Sequence, residues 1–233
     1  MAEFGTFDQR HYPTVSVREG YGAWQPTYDG TVEDAMDLGL LERVVGVRWD
    51  EAGAVADLGC GTGRTARWLA SQGVTTVDGV DLTPEMLEKA RGLGIHRRLD
   101  EADVRATPLG TGAYRIVVCA LVDEHLPELQ ELYREARRLL TAEGAFLVVG
   151  YHPFFMMAAG VPTHFDGPDA HPVAIETYVH LPSAHMAAAR SAGFVAAELH
   201  EAVIDDAWVA RKPKWQQYRG WPISFLWVWR VRS

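Results

Sequence analysis

The feature that most constrains the fold is a glycine-rich turn, Asp57-Leu58-Gly59-Cys60-Gly61-Thr62-Gly63-Arg64, which directly follows a short apolar run at residues 54–58. Glycines let the backbone bend tightly and let a ligand approach main-chain N–H groups, and the N-terminus of a following helix carries partial positive charge. A dinucleotide-binding fingerprint would have its third glycine at position 64, where this chain has Arg64. The spacing G-x-G-x-G therefore predicts a ligand-binding turn between a strand and a helix, without identifying the ligand by itself.

Strand-like apolar runs and helical patterns alternate between residues 54 and 150. Strands are predicted at residues 54–58, 75–81, 97–103, 115–121 and 145–150, and helices at residues 63–71, 83–93 and 126–140. Strands that alternate with helices at this spacing indicate an α/β fold, in which a parallel sheet is covered on both faces.

Acidic residues follow the second and third predicted strands at the points where these strands end. Asp81 ends the second strand, where a carboxylate can accept hydrogen bonds from both hydroxyls of a ribose. Asp103 follows the third strand and, with the backbone N–H of Val104, can read the amino edge of an adenine. Because ligands of open parallel sheets sit outside the carboxyl ends of the strands, these acids and the glycine turn are expected at one common edge.

The glycine turn, Asp81, Asp103 and the segment Leu82-Thr83-Pro84-Glu85-Met86-Leu87 together resemble the class I S-adenosylmethionine-dependent methyltransferase family, of small-molecule type. The resemblance covers residues 28–150 well and the rest of the chain loosely. It implies S-adenosylmethionine as the cofactor. It also implies a doubly wound, Rossmann-like sheet of seven mostly parallel strands, with helices on both faces and an antiparallel last strand at residues 223–231.

The resemblance further implies which residues hold the cofactor. Asp57 and the glycine turn would hold the methionine end, Asp81 would bind the ribose, and Asp103 with Val104 would recognise the adenine edge. The complete predicted cofactor-binding set is Tyr28, Asp57, Gly59, Cys60, Gly61, Gly63, Asp81, Leu82, Met86, Asp103, Val104, Ala120 and Leu121.

The apolar members of this set complete the implied site. Leu82 and Met86 would flank the adenine, Ala120 and Leu121 would line the opposite side, and Tyr28 would close over the cofactor. Cys60 is expected to be tolerated for its small size rather than to act as a reactive thiol.

One domain is predicted over residues 1–233, because no repeat or linker divides the chain. Residues 1–49 would form an N-terminal cap, with a helix from Thr31 to about Trp49 after an aromatic stretch without periodicity. Residues 50–150 would form the cofactor-binding core. An acceptor-side insertion at residues 151–193, with a helix at 183–192, would precede C-terminal strands within residues 194–233, at 195–204 and 223–231.

Two departures from the family's pattern concern the fourth strand. Relatives usually show Phe-Asp at its start, where this chain has Tyr114-Arg115. Many relatives have an apolar residue after it, where this chain has Asp123-Glu124-His125. The second departure puts charged groups close to the expected methyl-transfer centre.

His125 and His152, which follow the fourth and fifth predicted strands, are the candidate catalytic residues. Methyl transfer is an in-line displacement, and alignment of the reactants alone can lower the barrier by about 7–11 kcal/mol. A general base adds roughly 10²–10⁴-fold when the acceptor is a hydroxyl that must lose its proton. The alternative role for each histidine is to position the substrate or to satisfy a backbone carbonyl.

Five of the nine histidines lie between residues 152 and 185. Their spacing is not that of zinc enzymes, so no metal is predicted. The insertion is instead expected to form the roof and wall of a partly apolar acceptor pocket, with Tyr178-Val179-His180 on the substrate side. Its apolar members are Phe154, Phe155, Met156, Met157 and Phe165.

Residues 207–233 contain six basic residues, no acidic residue and five of the eight tryptophans. Trp227 and Trp229 alternate within the last strand, so the tryptophans are expected to pack over the sheet rather than to bind nucleic acid. The local positive charge favours an anionic small-molecule acceptor that contacts Arg211, Lys212 or Lys214.

The charge balance and composition bound the partners. The 31 acidic and 22 basic side chains give a net charge of -9, which disfavours a partner held chiefly by phosphate attraction. No apolar run approaches the roughly 18 residues of a membrane span, and the first residues lack the pattern of a secretion signal. Cys60 and Cys119 are interpreted as reduced thiols. We therefore expect a cytoplasmic monomer or homodimer with a small-molecule substrate and no nucleic-acid or membrane partner.

The predicted function is S-adenosylmethionine-dependent methyl transfer to a small-molecule acceptor, at a hydroxyl oxygen, by in-line displacement. A non-catalytic S-adenosylmethionine-binding regulator or scaffold is the alternative from a different class, and Asp123-Glu124-His125 is compatible with either. A nucleic-acid methyltransferase is the third interpretation.

Overall fold

The structure of the chain is a computed structural model that describes residues 2–32 and 36–232. Its strands are β1 (Ala2–Glu3), β2 (Thr14–Val15), β3 (Ala54–Leu58), β4 (Thr76–Asp81), β5 (Arg98–Glu101), β6 (Tyr114–Ala120), β7 (Leu140–Tyr151), β8 (His164–Asp166), β9 (Pro172–Ile175), β10 (Tyr178–Val179), β11 (Phe194–Val203) and β12 (Pro222–Val231). Its helices are α1 (Val17–Trp24), α2 (Leu38–Leu41), α3 (Arg64–Ser71), α4 (Pro84–Gly92), α5 (Gln130–Leu139), α6 (Pro153–Ala159), α7 (Pro182–Ser191) and α8 (Asp206–Arg211).

Seven of these strands form one sheet in the order β11-β12-β7-β6-β3-β4-β5. β12 runs antiparallel to β7 and β11, whereas the other neighbouring strands are parallel. The chain adds β4 and β5 on one side of β3 and then returns to add β6 and β7 on the other, so the strand order reverses between β3 and β6. The predicted seven-stranded, mostly parallel Rossmann-like sheet with an antiparallel last strand is confirmed.

Both faces of the central strands are buried, and alternate residues of these strands pack on opposite sides of the sheet. On β7, Leu147 packs in a cluster that contains Leu69 of α3, whereas Val148 packs in a cluster that contains Tyr133 of α5. This two-sided burial explains why the central strands read as nearly continuous apolar runs rather than as alternating ones. Within residues 2–32 and 36–232, no helix is both long and apolar enough to cross a membrane.

The predicted helix from Thr31 to about Trp49 is wrong. The described part of this stretch contains only α2 and a 3₁₀ turn at Trp49–Glu51, and residues 33–35 lie outside the described residues. The backbone N–H groups of Val45 and Gly46 donate to the Glu198 carboxylate of β11, at 3.1 and 2.7 Å. These contacts satisfy donors that a continued helix would bond internally, so a distant strand interrupts the helix.

Helix α1 lies in the aromatic opening stretch, where no helix was predicted from the sequence. The Ser16 hydroxyl accepts the N–H of Glu19 at 3.4 Å and caps the first turn of this helix. A serine followed three residues later by glutamate is the sequence signature of a helix start. That signal could have identified α1.

Polar contacts hold this N-terminal region against the core. Arg18 of α1 forms an ion pair with Glu101 at the end of β5, at 2.6 Å. Asp29 accepts a hydrogen bond from the Thr62 hydroxyl at 2.5 Å and pairs with Lys89 of α4 at 2.8 Å. The N-terminal region is therefore attached directly to the glycine turn and to the sheet edge.

The C-terminal tryptophans pack as predicted. Trp227 and Trp229 stack with their ring centroids 4.7 Å apart on one face of β12, and Trp229 is 1% exposed. Trp215 stacks on Phe155 with centroids 5.4 Å apart, and Trp208 is buried beside it.

Candidate active site

A cavity of about 380 Å³ lies at the carboxyl ends of the parallel strands, next to the point where the strand order reverses. Its volume is in the range of small-molecule sites. Residues from α1, the glycine turn, the ends of β4 and β6 and the insertion line it together: Ser16, Val17, Arg18, Tyr21, Tyr28, Gly59, Gly61, Asp81, Leu82, Thr83, Met86, Asp103, Val104, Arg105, Ala120, Leu121, Val122, His125, Leu126, Pro127, Glu176 and Tyr178.

The glycine turn forms the floor of this cavity. Gly59 and Gly61 have φ angles of +73° and +52°, in the left-handed region that favours glycine. A Cβ on Gly59 would lie 2.3 Å from Val122, so the turn and the end of β6 approach each other as closely as glycine allows. Gly61 has open space where a Cβ would stand, on the side of the cavity.

Asp81 fixes the turn and lines the cavity at the same time. Its Oδ2 accepts the N–H of Gly61 at 2.8 Å, and its Oδ1 accepts the N–H of Thr83 at 2.8 Å. Burial raises the pKa of this carboxyl group, and the two backbone donors oppose that shift. The carboxylate is thus held rigidly at the end of β4.

Asp57 lies buried at the end of β3, and no described residue donates a hydrogen bond to either of its carboxyl oxygens. Burial, and secondarily the charge of Asp81, raises the pKa of Asp57 to about 8. A buried acid without a partner is costly, which makes it a candidate for binding a cationic ligand group.

The predicted adenine-side residues Leu82, Met86, Asp103 and Val104 all line the cavity. The Asp103 carboxylate is, however, already paired, because the Arg105 guanidinium lies 2.6 Å from it and lowers its pKa. The backbone N–H of Val104 therefore stands beside a carboxylate that is shared with an arginine.

Three predicted members of the site, Asp57, Cys60 and Gly63, do not line the cavity, and the last two pack behind the turn. Cys60 is buried with its Sγ facing Gly79 of β4, and burial raises the pKa of its thiol. Gly63 packs against Leu93, which a Cβ would approach to 2.8 Å. Both residues shape the turn from the side opposite the cavity.

The remaining predicted cofactor residues, Tyr28, Ala120 and Leu121, line the cavity. Leu121 has a φ of +58°, which is uncommon for a residue other than glycine. Its N–H donates to the carbonyl oxygen of Val149 at 2.8 Å, so the neighbouring strand holds this conformation.

His125 lines the cavity, and it carries a polar partner that was not predicted from the sequence. The Tyr21 hydroxyl lies 2.8 Å from Nε2 of His125, and the Glu176 carbonyl oxygen lies 2.6 Å from Nδ1. Tyr21 comes from α1 and Glu176 from the insertion. Helix α1 and the insertion, the two regions that were hardest to predict from the sequence, therefore both contact the candidate base.

Asp123 and Glu124 are also buried next to His125, each less than 4% exposed. No described residue donates a hydrogen bond to either carboxyl oxygen of Glu124, whose Oε1 lies 3.8 Å from Nε2 of His125. Burial raises the pKa of both acids. The Asp123 carboxylate occupies the space beside Gly150 and lies 3.4 Å from Nε2 of His185.

His152, the other candidate base, lies outside the cavity. Its Nε2 lies 2.9 Å from the Glu201 carboxylate of β11, and its Nδ1 accepts the N–H of Phe154 at the start of α6. With both nitrogens engaged, it acts as a helix cap paired to the neighbouring strand.

A second cavity of about 370 Å³ lies beyond Trp24, on the side of the insertion. Of the predicted acceptor-pocket residues, Phe155, Met156 and Phe165 line it, whereas Phe154 packs on Trp221 and Met157 packs near Phe4. Lys212 and Lys214 also line this cavity. Among the described residues, no group of three His, Cys, Asp or Glu side chains is arranged to hold a metal ion.

Comparison with known proteins agrees with this geometry. The family described as Methyltransferase domain matches residues 56–148. An uncharacterised methyltransferase of Bacillus subtilis, YcgJ, is 29% identical over 121 residues, which cover 50% of this chain and 47% of that protein. The 2-heptyl-1-hydroxyquinolin-4(1H)-one methyltransferase of Mycobacteroides abscessus is 32% identical over 127 residues, covering 52% of this chain and 53% of that protein. The chain thus spans about half the length of the curated relatives it matches.

A solved structure supports the fold over a longer stretch. The S-adenosylmethionine-dependent methyltransferase of Mesorhizobium loti superposes with a TM-score of 0.65 at 21% identity, over 84% of this chain and 97% of that one. The strand order, the glycine turn and the cavity at the switch point define a Rossmann-like protein of the methyltransferase type. Residues 56–148 match the methyltransferase-domain family, and the fold of the chain is that of class I S-adenosylmethionine-dependent methyltransferases.

S-adenosylmethionine is the cofactor of this family, as predicted, and the residues present fit it. The unpartnered carboxyl group of Asp57 suits the ammonium group of a methionine. The open space at Gly61 lets a ligand approach the backbone, and the buried Asp81 offers carboxylate oxygens to a ribose.

Proposed function

We propose that this protein transfers a methyl group from S-adenosylmethionine to a hydroxyl oxygen of a small-molecule acceptor. The observation that carries the proposal is the pairing of Tyr21 with His125 in the same cavity as Asp81 and Gly61. A hydroxyl acceptor needs a group that takes its proton, and this polar pair supplies one at the cofactor cavity.

The cofactor would be held by groups at the two ends of the cavity. Asp57 and the backbone at Gly59 and Gly61 would hold the methionine end. Asp81 would accept hydrogen bonds from the ribose, with the N–H of Val104 at the adenine edge. Leu82 and Met86 would contact the flat faces of the adenine, and Tyr28, Ala120 and Leu121 would enclose the remainder.

The bound cofactor supplies a methyl group on a positively charged sulfur, which loses its charge on transfer. The protein's own contribution is alignment, exclusion of water and proton removal. Alignment alone is worth about 7–11 kcal/mol, and a base adds roughly 10²–10⁴-fold. The aromatic rings of Tyr21 and Tyr28, with centroids 5.9 Å apart, would keep water from the reacting atoms.

The acceptor would lie at the end of the cavity formed by Tyr21, His125, Glu176 and Tyr178. The relative from Mycobacteroides abscessus, 32% identical to this chain, is named for methylation of a small hydroxyquinolinone, which supports a small acceptor that bears a hydroxyl group. The net charge of -9 also favours a small molecule over nucleic acid.

Titration calorimetry with S-adenosylhomocysteine tests the binding half of this proposal. Asp81→Asn is expected to weaken binding at least tenfold, because a hydrogen bond to a charged group is worth about 1.5–3 kcal/mol. Asp100→Asn is the matched control, since Asp100 lies on neighbouring β5 and pairs with Arg98 outside the cavity. Absence of binding to the wild-type protein, or equal affinity in Asp81→Asn, would contradict the proposal.

A further inference from the structure

The hydrogen bonds around His125 have a defined direction. The Glu176 carbonyl oxygen, 2.6 Å from Nδ1, can only accept, so Nδ1 carries the ring proton. In the neutral ring Nε2 then has no proton and accepts. The Tyr21 hydroxyl, 2.8 Å from Nε2, must therefore donate to it.

This direction leaves the Tyr21 oxygen as the acceptor that faces the cavity. Its own proton is committed to His125, but the lone pairs of the oxygen remain able to receive another donor. Nε2 of His125, in contrast, already accepts the Tyr21 proton. A hydroxyl group bound in the cavity can therefore donate to the Tyr21 oxygen, which also lines the cavity.

We infer that Tyr21 is the catalytic residue that takes the acceptor's proton while it passes its own proton to His125. This inference rests on the proposed methyl transfer to a hydroxyl group. It makes Tyr21, together with His125, part of the catalytic base. Tyr21 rather than His125 then contacts the substrate.

Each proton and each electron pair in this relay has a defined destination. The acceptor O–H bond breaks, and its proton goes to the Tyr21 oxygen as the Tyr21 O–H proton goes to Nε2 of His125. The electron pair left on the acceptor oxygen would form the new bond to the methyl carbon, while the carbon–sulfur bond of the methyl donor breaks and its electron pair stays on the departing sulfur. His125 becomes an imidazolium whose two N–H groups donate to the Glu176 carbonyl and to Tyr21.

The surroundings of Tyr21 favour a relay over a standing phenolate. Burial raises its pKa well above the usual range, and the neighbouring Tyr28, Glu124, Tyr151 and Asp81 raise it further. Tyr21 therefore keeps a proton at neutral pH and can accept one only by giving one away. The nearby Glu124 carboxyl, 3.8 Å from Nε2, is the acid that faces the imidazolium once it forms.

The first test needs neither acceptor nor cofactor. In ¹⁵N-histidine-labelled protein, two-bond ¹H–¹⁵N NMR correlations report which ring nitrogen carries the proton at a pH where His125 is neutral. The expected result is a proton on Nδ1 and a hydrogen-bonded, unprotonated Nε2, with the Nε2 signal moving in Tyr21→Phe. A proton on Nε2 in the wild-type protein would overturn the relay. Loss of S-adenosylhomocysteine binding would instead count against the proposed function, so the two failures are distinguishable.

The second test uses kinetics with an acceptor found by turnover screening. Tyr21→Phe is expected to lower kcat about 100-fold, with S-adenosylhomocysteine affinity within threefold of the wild type.

Tyr133→Phe is the matched control, because the Tyr133 hydroxyl lies 2.8 Å from Nδ1 of buried His185, outside the cavity. It removes the same kind of tyrosine–histidine bond and should leave kcat within threefold. A Tyr21→Phe variant with nearly wild-type kcat, or an equal loss in both variants, would overturn the relay. The wild-type NMR measurement decides the case if Tyr21→Phe does not fold.

Discussion

The guanidinium group of Arg18, on α1, lies 2.6 Å from the carboxylate of Glu101 at the end of β5. This ion pair joins the N-terminal region to the sheet edge. Arg18 also lines the cavity. We therefore expect opening of α1 to be coupled to release of a ligand bound in this cavity.

Arg18→Gln is expected to speed dissociation of S-adenosylhomocysteine by no more than about fivefold. The limit follows from exposure, since the two side chains are 54% and 42% exposed, and such pairs contribute about 0–1 kcal/mol. The effect should shrink as salt is added. Stopped-flow dissociation checks it, with Arg48→Gln as the control, because Arg48 and its ion-pair partners do not line the cavity. An unchanged rate at low salt would contradict the coupling.

Removing the buried Asp57 carboxylate should change how stability depends on pH. The pKa of Asp57 is raised to about 8 in the folded protein, whereas an unfolded aspartate titrates near about 3.9. Between these values the folded state holds a proton that the unfolded state has lost, so the free energy of unfolding falls as pH rises. In Asp57→Asn the free energy of unfolding should therefore fall less steeply with pH, by up to about 1.4 kcal/mol less per pH unit.

Urea unfolding of both proteins at several pH values between 5 and 8 provides the measurement for Asp57→Asn. Some slope should remain in the variant, because burial also raises the pKa of Asp123 and Glu124. Parallel stability curves for the two proteins would show that Asp57 does not hold the extra proton.

Substitution of Gly59 should damage the turn more than substitution of a glycine with similar backbone but open surroundings. Gly59→Ala combines a φ of +73° with a Cβ only 2.3 Å from Val122. Gly53→Ala has a φ of +65° and nothing within 4 Å of the new Cβ. The control should lose about 1–2 kcal/mol, and Gly59→Ala clearly more, together with ligand binding. Equal losses in urea unfolding would mean that contact with Val122 does not matter.

Substitutions of His125 and His152 should affect activity to different extents. His125→Gln is expected to lower kcat by roughly 10²-fold or more, whereas His152→Gln should stay within threefold, because His152 bonds Glu201 outside the cavity. Initial rates at saturating acceptor measure both. A larger loss in His152→Gln than in His125→Gln would reverse the assignment.

Local sequence signals predicted the central part of the fold well. The residues of β3, Ala54–Leu58, are those predicted, because a short apolar run ended by glycines leaves few alternatives. A ligand-binding role for Asp81, at the end of β4, could also be predicted from the sequence, because ligands of parallel sheets bind at the carboxyl ends of the strands.

The features that sequence patterns did not predict depend on contacts between residues that lie far apart in the chain. Tyr21 and His125 are 104 residues apart, and only the docking of α1 brings them together. His152 and Glu201 are 49 residues apart in the chain. They come into contact because β12 pairs with both β7 and β11. In contrast, the pairing of Asp103 with Arg105 is local and could have been recognised from the sequence.

Transfer of a labelled methyl group from S-adenosylmethionine tests the proposed function most directly. The protein would be incubated with methyl-labelled cofactor and a mixture of small hydroxyl-bearing metabolites, and S-adenosylhomocysteine and the labelled product would be measured by mass spectrometry and NMR. The predicted result is an O-methyl product that forms with the wild-type protein and falls at least 100-fold with His125→Gln. Label on nitrogen or carbon, or no S-adenosylhomocysteine above background although the cofactor binds, would contradict it.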